Sequence, residues 1–179
     1  VLQFVNNLDL NQDCFLGVPE GATKLGVITQ FKWASSQSDF LENKNKNKYK
    51  LPMGRKSPKS HGAPADKYFV GEPSGKVILL EDVVTTGGSM LEFLDSLKDA
   101  GINVVAIVSL SDRKAKLKGD KSISDLVRDR GVKYYSLSSA VSLLPKVYAK
   151  SYATKDTDNK LAQAVEAELA EHNLEQVSF

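Results

Sequence analysis

An α/β fold, with a mostly parallel central sheet flanked by helices, is predicted by three observations on this 179-residue chain. A short apolar run, Lys76-Val77-Ile78-Leu79-Leu80, follows the turn Glu72-Pro73-Ser74-Gly75 and has the character of a buried strand. Behind a polar connection, Met90, Leu91, Phe93, Leu94 and Leu97 recur at helical spacing. The same strand–helix alternation then repeats down the chain, which implies crossover connections and a parallel sheet.

The elements follow in order. Gly101 stops the first of these helices, residues 102–110 are rich in Val and Ile and form the next strand, and residues 124–130 form a helix ending at Gly131. A third strand is expected at 132–137, then a short helix at 139–148 interrupted by Pro145. Upstream, residues 24–31 suit a strand or a helix equally. Residues 40–75 are Lys-, Asn-, Ser-, Gly- and Pro-rich with little periodicity, the mark of a long irregular insertion. The Ala/Glu-rich stretch at about 158–174 reads as an amphipathic helix with Leu161, Val165 and Leu169 on one stripe. All this fits one domain over residues 1–179.

Composition excludes several classes. An apolar fraction of 41% and a charged fraction of 26% describe a folded globular chain. With 24 basic against 22 acidic residues, the net charge of +2 gives no electrostatic case for nucleic acid. The lysines at 44–50, alternating with Asn45, Asn47 and Tyr49, read as a solvated loop. A single cysteine, Cys14, rules out an internal disulfide, suits a reducing, cytoplasmic setting and is expected in the core. No apolar stretch has transmembrane length, so no membrane role is expected.

The segment from Val77 to Ser89 carries the chemistry. A buried strand leads into Glu81 and Asp82, which can accept hydrogen bonds from vicinal sugar hydroxyls or carry a magnesium ion through water. Thr85, Thr86 and Ser89 bring hydroxyl donors, and Gly87 and Gly88 let backbone N–H groups approach a phosphate closely. A helix starting near Ser89 aims its positive end at the same point. Together these features form a ribose-phosphate cradle, more than the helix N-cap that a glycine turn alone would be. On this reading Gly87→Val weakens phosphate binding with little loss of fold.

This whole run, Val77-Ile78-Leu79-Leu80-Glu81-Asp82-Val83-Val84-Thr85-Thr86-Gly87-Gly88-Ser89, resembles the signature of type I phosphoribosyltransferases, which use phosphoribosyl pyrophosphate. The resemblance implies that Thr85 to Ser89 hold the 5-phosphate while Glu81 and Asp82 face the ribose hydroxyls, and it implies the core fold of that family. Some 20 residues upstream, Arg55-Lys56-Ser57-Pro58-Lys59-Ser60-His61-Gly62 groups cations that can surround a pyrophosphate. Alone it reads as a solvated basic loop. In this position its order resembles the flexible catalytic loop of orotate phosphoribosyltransferases, which closes over the neighbouring subunit's site in a dimer.

Two more segments agree with the resemblance. Gly17-Val18-Pro19-Glu20-Gly21-Ala22 is similar to the family's early pyrophosphate-binding turn, although Glu20 is acidic there. Ser111-Asp112-Arg113 is similar to the family's Asp-Arg pair, whose arginine contacts the orotate carboxylate, a task suited to a planar guanidinium. Only 16 residues precede Gly17, where the family has a longer hood that covers the base.

The expectation is therefore transfer of a phosphoribosyl group to orotate with Mg²⁺, in a homodimer. Lys59, Lys56, His61 and Asp82 would be catalytic, with Arg55, Glu81, Thr85, Thr86, Gly87, Gly88, Ser89 and Arg113 binding substrates. No residue is assigned as a direct metal ligand. The alternatives are a purine phosphoribosyltransferase, which also carries a Glu-Asp pair before its phosphate loop, and a non-catalytic phosphoribosyl-pyrophosphate-binding regulator.

Overall fold

The computed structural model describes residues 1–43, 48–61, 67–114, 121–151, 158–171 and 174–177. Its centre is a four-stranded parallel sheet of β1 (Cys14–Gly17), β4 (Val77–Val84), β5 (Val104–Asp112) and β6 (Lys133–Ser139), in that spatial order. A second, antiparallel pair joins β2 (Met53–Gly54) to β3 (Phe69–Val70).

Alternation along the strands explains why both faces are covered. Cys14, Leu16, Val77, Leu79 and Ile107 point to one side, where α4 (Gly88–Asp99) and α5 (Ile123–Asp129) bury Met90, Leu94, Leu97 and Val127 against them. Phe15, Ile78, Leu80 and Val108 point to the other, against Val5 of α1 (Leu2–Asn6) and Leu25 and Trp33 of α2 (Thr23–Ser35). Ile78, Leu79 and Leu80 are wholly buried, each worth about 1.5–3 kcal/mol. Arg130 ties α5 to α4 through a two-pronged pair with Asp95, Nε–Oδ1 at 2.8 Å and Nη2–Oδ2 at 2.9 Å.

Residues 24–31 are helical. The buried side of α2 consists of Gly26, Thr29, Gln30 and Ala34, while Ile28 and Phe31 face outward. Gln30 explains this inversion: its Oε1 accepts the Phe15 amide at 2.8 Å and its Nε2 donates to the Lys50 carbonyl at 2.9 Å. The amide side chain thus satisfies backbone at the sheet edge. Cys14 lies in the core as expected, and burial pushes its thiol up to about 11.

Several boundaries differ from the sequence expectation. β4 runs on through the acidic pair to Val84, and β5 runs to Asp112, so these residues are strand ends and not loop. The helix α6 (Ala140–Ser151) continues through Pro145, which removes only one ladder bond. In α7 (Asp158–Glu171) the buried positions are Ala162 and Leu169, whereas Leu161 is exposed. The insertion contains α3 (Phe40–Asn43) as well as the short antiparallel pair. Within the lysine run, Lys48 and Tyr49 both bond Asp39, and Tyr49 packs on Trp33 and Phe40, so these two residues are anchored. Positions 44–47 lie outside the described residues. Among the described residues no helix is long and apolar enough to cross a membrane.

Candidate active site

The carboxyl ends of β1, β4 and β5 deliver the turn at 18–22, the acidic pair, the phosphate loop and Arg113 to one end of the sheet, where ligands of parallel α/β sheets bind. β4 places Glu81 and Asp82 consecutively, so they face opposite sides. Glu81 is 7% exposed and its Oε1 accepts the Asp82 amide at 3.0 Å. Burial first, then the side-chain bond with Asp82, pushes its carboxyl up to about 8. At neutral pH Glu81 is therefore mostly protonated and can donate a hydrogen bond, while Asp82 lies half-buried with its Oδ1 accepting the Val83 amide at 2.8 Å.

Three residues, Thr85, Thr86 and Gly87, connect β4 to α4. Thr85, Thr86, Gly88 and Ser89 are exposed, and Gly87 is buried. Gly87 is the N-cap at φ 73°, and no side chain caps the helix. The first-turn N–H groups of α4 are thus left for an incoming acceptor, the geometry of an anion site. Ser89 sits inside the first turn and is not the cap. The expectation that Gly87→Val spares the fold is overturned: a Cβ at Gly87 would run into Ile123 Cδ1, and the left-handed φ disfavours any side chain. Gly88, by contrast, has nothing within 4 Å of its Cβ position.

β1 brings the turn at 18–22 to the same place. The Val18 amide donates to the Leu80 carbonyl at 2.9 Å, and the Pro19-Glu20 peptide is cis. Gly17 and Gly26 allow the turn and α2 to close on each other, since a Cβ on Gly17 would overlap Ala22 and one on Gly26 would overlap Gly17. Gly21 ends beside Asp82.

The basic loop starts from the short antiparallel pair. Gly54 has no room for a Cβ because Phe93 and Pro19 press on it, which seats the loop's origin over α4 and the turn. The Arg55 amide donates to the Tyr68 carbonyl and the Lys59 amide to the Lys67 carbonyl, both at 2.8 Å, so both ends of this segment are held against the start of β3. Arg55 Nε also donates to the Phe69 carbonyl at 3.2 Å. Lys56, Lys59 and His61 are exposed; Gly62 lies outside the described residues. An open cavity of about 470 Å³ between turn and loop is lined by Glu20, Lys24, Arg55 and Lys56, among others. Lys24 was not singled out from the sequence. It opens α2 without any motif of its own, and only the fold brings it to the other cations.

Arg113 follows β5 directly, and its amide donates to the Val84 carbonyl at 2.9 Å. Its backbone therefore sits beside the phosphate loop, while its exposed side chain lines a 380 Å³ cavity with Leu144 of α6 and Val165 and Leu169 of α7. Among the described residues no cluster of three or more His, Cys, Asp or Glu is placed to hold a metal.

The phosphoribosyl transferase domain family matches residues 2–133, and the chain belongs to that family. The chain is 29% identical over 145 residues to the orotate phosphoribosyltransferase of Bradyrhizobium diazoefficiens, covering 76% of this chain and 67% of that protein. It is 32% identical over 99 residues to the orotate phosphoribosyltransferase of Staphylococcus haemolyticus, covering 54% of this chain and 46% of that protein. The match thus spans between about half and two thirds of these relatives. Among solved structures, the orotate phosphoribosyltransferase of Francisella tularensis superposes with a TM-score of 0.60 at 17% identity, over 93% of this chain and 74% of that one. That of Aeropyrum pernix gives 0.55 at 22%, over 77% and 66%. These likenesses place the fold.

Proposed function

We propose that this chain transfers the phosphoribosyl group of phosphoribosyl pyrophosphate to orotate, giving orotidine 5′-monophosphate and pyrophosphate in pyrimidine nucleotide synthesis. The observation that carries the proposal is the meeting of an uncapped helix N-terminus and an acidic strand end at one end of the sheet, with Arg55 and Lys56 of the basic loop lining a cavity beside the turn at 18–22. The order of cations from Arg55 to His61 and the names of the relatives favour orotate as the acceptor.

On this reading Thr85, Thr86, Gly88, Ser89 and the α4 amides hold the 5-phosphate, and Gly87 shapes their approach. Asp82 accepts from a ribose hydroxyl and faces the positive charge that grows on the sugar ring, while protonated Glu81 donates a hydrogen bond. Arg55, Lys56, Lys59 and His61 surround the departing pyrophosphate, where charge develops in the transition state. Arg113 takes the orotate carboxylate with its planar guanidinium. Magnesium, when bound, would neutralise pyrophosphate charge. The residues fit such an ion through hard oxygen donors: Asp82 through water, with the substrate supplying the rest. Closure of the basic loop across a homodimer would exclude water, and a free buried thiol suits a cytoplasmic protein.

The decisive experiment is an assay with labelled phosphoribosyl pyrophosphate, Mg²⁺ and a panel of bases, following nucleotide and pyrophosphate together. Orotate alone should support turnover. Transfer to a purine, or binding without turnover of any base, would overturn the assignment.

A further inference from the structure

The turn after β5 is built around a buried carboxylate. Asp112, the last residue of β5, is 1% exposed, and its Oδ1 accepts the Lys114 amide at 2.7 Å. This side-chain bond to the amide two residues on mimics a backbone turn. Lys114 stands at φ 58°, a left-handed conformation that a non-glycine residue adopts only under local constraint. The other oxygen, Oδ2, has no aligned hydrogen bond; Lys114 Nζ lies 3.4 Å away, close enough to count as an ion pair, and the Tyr134 hydroxyl stands close enough to interact with this carboxylate. A buried carboxylate satisfied on one side works against stability. What it secures is the residue between: Arg113, whose amide is bonded to Val84, the position just before Thr85. Two hydrogen bonds, one on each side of the Arg113 Cα, fix that residue relative to the phosphate loop.

We propose that Asp112 is a positioning residue for the acceptor base, its carboxylate holding the Arg113–Lys114 turn so that the Arg113 backbone, from which the guanidinium reaches the base, stays fixed beside the phosphate loop. This rests on the orotate reading given above. Asp112 touches no substrate. Its effect passes through the backbone of Arg113, so it should appear in acceptor affinity and leave phosphoribosyl-pyrophosphate binding alone.

The test compares Asp112→Ala, which removes the turn's acceptor, with Asp112→Asn, which keeps an oxygen for the Lys114 amide. Asp112→Ala should raise the KM for orotate on the order of ten- to a hundredfold, the scale of a small misplacement of a binding group. Asp112→Asn should restore most of the loss. Phosphoribosyl-pyrophosphate affinity, measured by calorimetry, should stay within about twofold of wild type in both, since the cradle keeps its own anchors. Should the alanine variant fail to fold, Lys114→Val attacks the same turn from its exposed side, because a β-branched residue resists the left-handed backbone. It should reproduce the rise in orotate KM. In the double variant Asp112→Ala/Lys114→Gly, glycine adopts the turn unaided and acceptor affinity should recover. An active wild type whose orotate KM is unmoved by these variants, or whose two substrates weaken in parallel, overturns the inference alone. A wild type that makes no orotidine 5′-monophosphate removes the orotate reading and this inference with it.

Discussion

Gly21 stands against Asp82: a Cβ added at Gly21 would lie 2.9 Å from Asp82 Oδ2 and 3.2 Å from Oδ1. The turn after β1 therefore supports the acidic end of β4 through the absence of a side chain. Gly21→Ala should fold normally, because the obstructing atoms belong to the end of a side chain that can rotate. The displaced carboxylate should lower kcat/KM about tenfold, or ~1.4 kcal/mol. Steady-state kinetics beside a thermal melt check this; full activity would mean that Asp82 need not occupy its observed position.

The two glycines of the phosphate loop should behave differently. Gly87→Ala meets Ile123 and a φ of 73°, and should cost about 1–3 kcal/mol of stability. Gly88→Val enters open space, so the fold should survive. Its side chain would stand where a phosphate approaches, and phosphoribosyl-pyrophosphate affinity should fall more than about tenfold. Calorimetry on a folded Gly88→Val protein that binds as wild type would detach the phosphate from this loop.

Glu81 predicts a pH dependence of stability. Burial raises its carboxyl from the ordinary 4.5 to about 8. A raised folded-state value means that the folded chain holds the proton more tightly than the unfolded one. The contribution to stability is complete below 4.5 and is lost as pH rises to about 8. Glu81→Gln, which cannot ionise, should lose less stability than wild type over this window. Urea midpoints taken at both ends measure the slope; equal slopes in the two proteins would show Glu81 to be charged throughout.

Two backbone bonds, from the Arg55 amide to Tyr68 and from the Lys59 amide to Lys67, hold the basic segment against the start of β3. If the proposed homodimer shares this loop between subunits, a dimer with the loop acting in trans makes a distinct forecast. Lys59→Ala should depress kcat strongly, because its charge matters most as pyrophosphate departs. Asp82→Asn should be crippled through the ribose side. Heterodimers formed by mixing the two would contain one site with both lesions and one with neither, and activity should recover toward about half per exchanged dimer, as complementary site assembly requires. Mass-tagged subunits verify exchange. Verified heterodimers that stay inactive would place the loop in its own subunit's site.

What the sequence by itself determined lies in contiguous stretches. From Val77 to Ser89 the strand, the acids, the hydroxyls and the glycines follow one another along the chain, so their chemistry could be recognised before any fold was known. The helices α4 and α5 were legible for local reasons: α4 repeats its apolar residues at helical spacing, and α5 stops just before Gly131, while its capping box of Ser122 and Asp125 emerged only in the structure. The tertiary structure alone decided the rest. Residues 24–31 became a helix whose buried side is small and polar, because Gln30 bonds backbone at the sheet edge and tertiary hydrogen bonds outweigh hydrophobic pattern there. Gly87 turned out to be braced by Ile123, Gly21 to stand under Asp82, and Lys24 to join the cations of the loop. Arg113 was tied to Val84 across neighbouring strands. Each of these is a meeting of residues far apart in sequence. Local composition carries no record of such contacts, because they exist only after the parallel strands have been brought into register.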